Sequence, residues 1–374
     1  MDVGIFLDAI ENIGITFFTG VPDSQLSSFC DEIIRRYGVF NARHIVAHNE
    51  GGAVALAAGH YMATGRVPCI YMQNSGLGNA LNPVVSLAHA KVYSIPLLFL
   101  VGWRGEPGAQ DEPQHIYQGE ITLQLLSDMD IECFIIDKDT SLVDMENALN
   151  RFVLLFGNGK NAAFVVRKGA LSGSEYAYGN SFSFGREEAI ELVLDTSGSD
   201  PVISTTGKIS RELFELRERH QEGHETDFLT VGSMGHSSMI ALGISLEQPQ
   251  RRIWCIDGDG SVLMHMGSLA IVGALSPSNL IHVVLNNAAH ETVGGMPTAA
   301  KDLDFGAIAL ENGYRSAYLA VDALTLKDAL EKAKGDTGPI FIEVQVSLGS
   351  RPDLGRPTTA PQENKDAFMR FLRD

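Results

Sequence analysis

In Arg252-Ile-Trp-Cys-Ile-Asp-Gly-Asp-Gly260 an apolar run bounded by charge and glycine reads as a short buried strand of a parallel sheet. Gly258 and Gly260 then permit a tight turn and a close approach of backbone to a ligand. Residues 261 to 276 follow as a helix, and Asn279-Leu-Ile-His-Val-Val-Leu285 as the next strand, leading into Asn286-Asn287. Two strands joined by a crossover helix lie side by side and parallel, so Asp259 and Asn287 should meet at one carboxyl edge of the sheet. A hard divalent cation wants such oxygens. Magnesium takes one or two carboxylates and completes its octahedron with waters, carbonyls and phosphate oxygens, so one Asp, one Asn amide oxygen and a diphosphate form a coherent set. Alone, Gly-Asp-Gly is more often a turn and Asn-Asn a strand exit. The metal reading rests on their separation and on the strand, helix and strand between them.

The alternation extends in both directions. Strands are expected near 15–18, 43–47, 68–72, 97–101, 133–136 and 163–166, with helices over 24–36, 51–63 and 79–90. That is a doubly wound parallel domain over residues 1–170. Residues 171–185, Leu-Ser-Gly-Ser-Glu-Tyr-Ala-Tyr-Gly-Asn-Ser-Phe-Ser-Phe-Gly, break the pattern and read as a linker. It restarts over 186–374, with strands near 202–205, 227–231, 253–257, 280–285 and 340–346. The fold class is therefore α/β, with two doubly wound parallel-sheet domains and no clear sequence duplication.

A chain of 374 residues with 45% hydrophobic content suffices for about two cored domains. Its formal net charge of −18 argues against nucleic acid or an anionic membrane as partner, and any anionic substrate must be met by local cations. Cys30, Cys69, Cys133 and Cys255 are far apart in mostly apolar contexts and read as reduced core residues of a cytoplasmic protein. The first residues lack the basic start and apolar run of a secretory signal. Gly76-Leu-Gly78-Asn-Ala-Leu81 has Leu where a dinucleotide fingerprint needs a small residue, and Gly157-Asn-Gly-Lys160-Asn161 lacks the glycine and hydroxyl of a P-loop.

Glu50 ends a strand-like run and precedes Gly51-Gly-Ala-Val-Ala-Leu-Ala-Ala-Gly59, a helix of small residues. A favourable interaction with the helix dipole would explain a Glu there without any catalysis. Gly20-Val-Pro-Asp-Ser-Gln-Leu26, Gln73-Asn-Ser-Gly-Leu-Gly-Asn79, residues Gly102 to His115, Gly232-Ser-Met-Gly235 and Asn286-Asn-Ala-Ala-His-Glu-Thr-Val-Gly-Gly-Met-Pro-Thr298 complete the pattern. Together these motifs resemble the thiamine diphosphate-dependent decarboxylases, and among them the phosphonopyruvate decarboxylase family, with sulfopyruvate decarboxylase as its near relative. The likeness covers nearly the whole chain and implies pyrimidine-binding and diphosphate-binding domains with no middle domain.

The resemblance implies thiamine diphosphate and Mg2+ as cofactors. It makes Glu50 the residue that hydrogen-bonds and activates the aminopyrimidine ring. It places Gln73, Asn74, Thr206, Gly207, Ser233, Met234, Gly258, Gly260, Ser261 and Asn287 around the cofactor, with Met234 propping its bent shape. Asp259, Asn287 and the carbonyl of Ala289 become metal ligands. Ala288 stands where this family often has glycine, which disfavours a positive φ. Asp23 and His115 lie in the segments that would cover the reactive end, and either could supply the proton that replaces carbon dioxide. Arg104, Ser24, Lys208, Arg211 and His290 are candidates for the substrate tail, Arg104 first because a guanidinium suits phosphate oxygens.

The expected activity is decarboxylation of 3-phosphonopyruvate, a small anionic 2-keto acid, to phosphonoacetaldehyde in phosphonate biosynthesis. Sulfopyruvate decarboxylation, carboligation and a non-catalytic scaffold subunit are the alternatives. The resemblance further implies a homodimer or larger homo-oligomer with active sites between subunits.

Overall fold

The computed structural model describes residues 1–374 and divides into two compact units, Met1–Tyr178 and Gly179–Asp374. The division falls inside the expected linker. Tyr178 donates its hydroxyl to Asp31 at 2.7 Å within the first unit, while the amide of Asn180 donates to the Asn287 and Val346 carbonyls within the second.

The first unit carries strands β1 (Phe18–Gly20), β2 (His44–Val46), β3 (Cys69–Gln73), β4 (Leu98–Gly102), β5 (Glu132–Ile136) and β6 (Ala162–Val166). Helices α1 (Val3–Asn12), α2 (Ser27–Tyr37), α3 (Glu50–Thr64), α4 (Leu77–Pro83), α5 (Pro113–Asp128) and α6 (Leu142–Gly157) run between them. The second unit has β7 (Val202–Ser204), β8 (Asp227–Leu229), β9 (Ile253–Gly258), β10 (Leu280–Asn286), the short pair β11 (Ala289–His290) and β12 (Met296–Pro297), then β13 (Ser316–Ala320) and β14 (Ile340–Gln345). Its helices are α7 (Arg186–Ser197), α8 (Lys208–His220), α9 (Ser237–Glu247), α10 (Asp259–Met264), α11 (Gly267–Leu275), α12 (Phe305–Glu311), α13 (Ala323–Gly335) and α14 (Pro361–Arg373).

Each unit is built on a six-stranded parallel sheet, ordered β2-β1-β3-β4-β6-β5 in the first and β13-β14-β10-β9-β7-β8 in the second. Read from the β8 edge and counted among its own six strands, the second sheet repeats the strand order of the first. The order reverses between β1 and β3, and again between β7 and β9, and ligands of doubly wound sheets bind outside the carboxyl ends at such points. Central strands such as β4 and β10 are buried along their whole length, as helices on both faces require.

Local chemistry shifts several expected boundaries. The Ser24–Arg36 helix begins as a 3-10 turn, Ser24–Leu26, whose N-cap is Asp23. The helix expected over 261–276 is broken into α10 and α11 at His265 and Met266. The helix expected over 79–90 ends at Pro83 and passes into a π-turn, Val84–Ala88. Edge strand β13, half exposed, has too weak an apolar pattern to be legible. All four cysteines are free, and no helix is long and apolar enough to cross a membrane.

Candidate active site

Glu50 is the first residue of α3, after the N-cap Asn49, whose side chain accepts from the Gly52 N–H at 2.7 Å. Although ionisable, it is only 5% exposed. Its Oε2 accepts from Asn79 Nδ2 at 2.8 Å, which fixes the carboxyl group from the neighbouring helix α4. Gly76 completes the enclosure, since a Cβ there would lie 2.5 Å from Glu50 Oε1. Asn79 and Gly76 thus shape the Glu50 environment, a contact that sequence separation concealed.

Asp23 is fully buried beyond the end of β1, at the reversal point of the first sheet. Its Oδ1 accepts from Gln73 Nε2 at 2.7 Å and its Oδ2 from the Gln25 N–H at 3.2 Å. A Cβ on Gly102, the last residue of β4, would overlap Asp23 Oδ2 at 1.9 Å, so glycine makes room for this carboxyl group. Burial pushes Asp23 above the usual carboxylate range, against the hydrogen bond from Gln73 and the charge of Arg104. His115, in the first turn of α5, moves the other way: burial and the nearby Arg104 hold it down to about 4, so it is neutral near pH 7. Of the two proton-donor candidates, only Asp23 is biased towards its protonated form.

Arg104 is committed on one side. Nε and NH2 make a forked pair with Asp111 at 2.8 and 2.5 Å, while NH1 donates to Ser24 Oγ at 3.1 Å. The Asn74 side chain is engaged within the first unit. Its Nδ2 donates to the Arg104 carbonyl and to Thr122 Oγ1, both at 2.8 Å, and its Oδ1 accepts the Arg104 N–H. Those bonds hold the Arg104 loop and occupy the amide.

In the second unit Asp259 opens α10 directly after β9, and Asn287 follows β10, which pairs with β9 in parallel register. The Asn287 backbone N–H bonds the Asp259 carboxyl group, whose Oδ2 also accepts from Thr298 Oγ1 at 2.6 Å. Asp259 is 2% exposed and these partners are neutral, so burial pushes its carboxyl up to about 7. A desolvated carboxylate held by neutral donors at a sheet edge suits a divalent cation, whose charge would restore its ionised form. Neither Gly258 nor Gly260 has a positive φ, and Gly260 supplies space: a Cβ there would stand 3.2 Å from both His290 and Met234.

Ala288 adopts the left-handed conformation, φ +56°, despite its side chain. Asn286 explains how. Its Oδ1 accepts the Ala288 N–H at 2.9 Å while its Nδ2 is anchored on Glu343 at 2.8 Å, so a side-chain turn enforces the bend. Ala289 faces Pro297 across the β11 and β12 pair, and proline has no N–H to claim the Ala289 carbonyl. We expect Ala288→Gly to raise stability by up to about 1 kcal/mol, relief of left-handed strain exceeding the added chain entropy. A denaturant midpoint unchanged or lowered would show that no strain is held there.

Near the reversal point of the second sheet, Thr205 Oγ1 donates to Ser261 Oγ at 3.1 Å and the Gly235 N–H donates to the same Ser261 oxygen at 3.0 Å. This brings the 205–208 turn, the 232–235 turn and the start of α10 together. Gly207 has φ +98° and Ser233 φ +55°, and the Met234 side chain reaches Gly260, where a Cβ would stand 3.2 Å from it. Thr206 spends its hydroxyl on the Val231 carbonyl, leaving only its backbone for an anion. Two cation candidates are corrected. Arg211 is bound to the Leu354 and Gly355 carbonyls, and His290 is buried and held down to about 4, hence uncharged. Lys208 is paired with Glu291 at 2.8 Å.

Cys255, Asp257 and His282 also bring potential metal-ligand atoms within 4.8 Å of one another. They are buried below the β9 and β10 edge, where Asp257 accepts the Gly258 N–H and His282 Nδ1 contacts the Tyr314 hydroxyl at 3.1 Å. Cys255 and Asp257 lie on β9, the strand that leads to Asp259, and His282 on its neighbour β10.

Two such domains, each with its polar loops at a reversal point, define a thiamine pyrophosphate enzyme. The N-terminal TPP binding domain of that class matches residues 3–127, and the C-terminal TPP binding domain matches residues 205–344. The chain is 35% identical to a phosphonopyruvate decarboxylase of Streptomyces viridochromogenes, over 97% of this chain and 93% of the relative. A phosphonopyruvate decarboxylase of Streptomyces hygroscopicus is 34% identical, over 98% and 93%. The sulfopyruvate decarboxylase subunit beta of Methanothermobacter thermautotrophicus is 38% identical over 44% of this chain and 83% of its own. The chain belongs to the phosphonopyruvate decarboxylase family of thiamine pyrophosphate enzymes.

Proposed function

We propose that the chain decarboxylates 3-phosphonopyruvate to phosphonoacetaldehyde and carbon dioxide. The observation that carries this reading is the near full-length identity to two phosphonopyruvate decarboxylases. When bound, thiamine diphosphate supplies both the carbon that joins the 2-keto group and the electron sink that makes loss of carbon dioxide possible. Glu50 would hydrogen-bond the pyrimidine and activate it. Asp259, the Asn287 amide oxygen and the Ala289 carbonyl would hold Mg2+, with Gly207, Ser233 and Ser261 on the diphosphate side. Arg104 and Ser24, already one hydrogen-bonded pair, would meet the phosphonate tail. The free cysteines support a cytoplasmic setting. The direct test is to incubate purified protein with phosphonopyruvate, thiamine diphosphate and Mg2+ and identify products by phosphorus NMR. Phosphonoacetaldehyde is expected. Unchanged substrate would overturn the proposal.

Asp23 is the proton donor of this scheme, because its raised pKa keeps an acid form available where His115 has none. An acid required in its protonated form loses activity as pH rises through its own pKa. Asp23→Asn should therefore abolish that alkaline limb along with most turnover, while His115→Gln should retain it. The reverse pattern would assign the proton to His115.

We further infer a homodimer whose sites combine the first domain of one chain with the second domain of its partner. Apolar side chains left exposed on α3 and α4, Leu56, Met62 and Leu81, support association. When the inactive variants Glu50→Ala and Asp259→Ala exchange subunits at random, half the dimers are mixed and each mixed dimer has one intact site. About a quarter of wild-type activity should return. Verified mixed dimers that stay inactive would place each site within one chain.

A further inference from the structure

Glu291 belongs to the 3-10 turn Glu291–Val293 between β11 and β12, and its side chain is 9% exposed. Its Oε1 accepts from Lys208 Nζ at 2.8 Å, and its Oε2 accepts from Arg186 NH1 and from Asn287 Nδ2, the latter at 2.7 Å. Arg186 in turn makes a forked pair with Glu212 at 2.7 and 2.6 Å. The cluster is charge-balanced: Arg186 and Lys208 against Glu212 and Glu291. Arg186 and Lys208 both donate to the Glu291 carboxyl group, so it meets Asn287 as a paired carboxylate.

An Asn amide has two ends of nearly equal size, and a half-turn about its last bond exchanges oxygen for nitrogen. An ionised carboxylate accepts hydrogen bonds and cannot donate one, so only the nitrogen end of Asn287 can face Glu291. The oxygen end is thereby fixed on the other side, where it accepts the Ala289 N–H at 3.1 Å. A cation can use only that oxygen.

We propose that Glu291, clamped by Arg186 and Lys208, is a positioning residue that fixes the orientation of the Asn287 amide so that its oxygen faces the metal. Glu291 itself does not touch the ion, and Lys208 serves the clamp and not the substrate tail. This rests on the proposed Mg2+ site and adds to it a determinant outside the ligand set. Partners that orient a ligand in this way carry about 10–100-fold of metal affinity.

The test uses binding, not turnover. Thiamine diphosphate binding to the full-length protein is followed by calorimetry across a Mg2+ titration. Glu291→Gln can accept or donate towards Asn287, so either orientation becomes permissible, and the Mg2+ concentration at half-binding should rise about 10–100-fold. Glu291→Asp keeps a negative charge that the long Arg186 and Lys208 side chains can follow, but draws the carboxyl group back from the short Asn287 side chain. It should show a similar rise with its apo melting temperature retained, and so replaces the Gln variant if that one does not fold. In an Asn287→Ala background, where no amide remains to orient, Glu291→Asp should change the half-binding concentration by less than about twofold. Unaltered titrations in the single variants, or an equal loss in the Asn287→Ala background, would overturn the proposal. A wild-type protein with no Mg2+-dependent cofactor binding would instead defeat the metal site on which it rests.

Discussion

Glu50→Gln is expected to leave a folded protein that binds thiamine diphosphate and Mg2+ within a few-fold of wild type, yet has lost about 100-fold to 10,000-fold of its turnover, the scale of a positioned proton-transfer group. The structure gives the reason for separating fold from activity. Gln retains a carbonyl oxygen for Asn79 Nδ2, which donates to Glu50 at 2.8 Å, and it fills the same space beside Gly76. What it cannot do is hold an exchangeable proton between itself and the pyrimidine. Loss of the favourable charge at the start of α3 should cost at most about 1 kcal/mol. Circular dichroism, cofactor calorimetry and turnover on one preparation check the three parts separately. Turnover close to wild type would remove Glu50 from catalysis.

The second large effect concerns Asp259. Thiamine diphosphate binding by Asp259→Asn should lose its Mg2+ dependence, and the cofactor requirement should rise by at least about 100-fold with removal of the charged ligand. Stability without cofactor should change in a different sense. A carboxyl group held at about 7 in the folded state, against an ordinary value near 3.8, carries little penalty at low pH. Its cost grows as pH rises past the ordinary value and is complete above about 7, reaching roughly 4 kcal/mol from the difference between the two values. Cofactor-free wild type should therefore lose stability between pH 5 and pH 8 by more than Asp259→Asn does, and Mg2+ with thiamine diphosphate should restore it. Denaturant unfolding at the two pH values measures the difference. Equal pH dependence in both proteins would mean that Asp259 is not the strained acid, and an unchanged Mg2+ titration would remove it from the metal site.

The parts of this site that lie at strand ends were legible in the sequence. Asp259 and Asn287 were readable because β9 and β10 are buried, mostly apolar runs, and a crossover between parallel neighbours brings their ends to one edge. The groups that tune them were not. Thr298, Asn79 and Glu291 act through side-chain hydrogen bonds to residues reached only after folding, and no periodicity marks such a contact. The neighbours for which Gly260 leaves room, Met234 and His290, were hidden for a related reason, since they reach it only in the fold. Charge alone does not show how His290, Arg211 and Lys208 are engaged in the fold. A sequence counts them as basic, but burial neutralises the first and protein partners occupy the other two.

The most direct measurement is kcat/KM for phosphonopyruvate, sulfopyruvate and pyruvate, side by side, with the wild-type protein and with Arg104→Ala. Phosphonopyruvate should be preferred by wild type over both others, and Arg104→Ala should impair it more than pyruvate, which has no charged tail for a guanidinium to meet. Preference for sulfopyruvate or pyruvate, with no phosphonoacetaldehyde formed, would contradict the assignment.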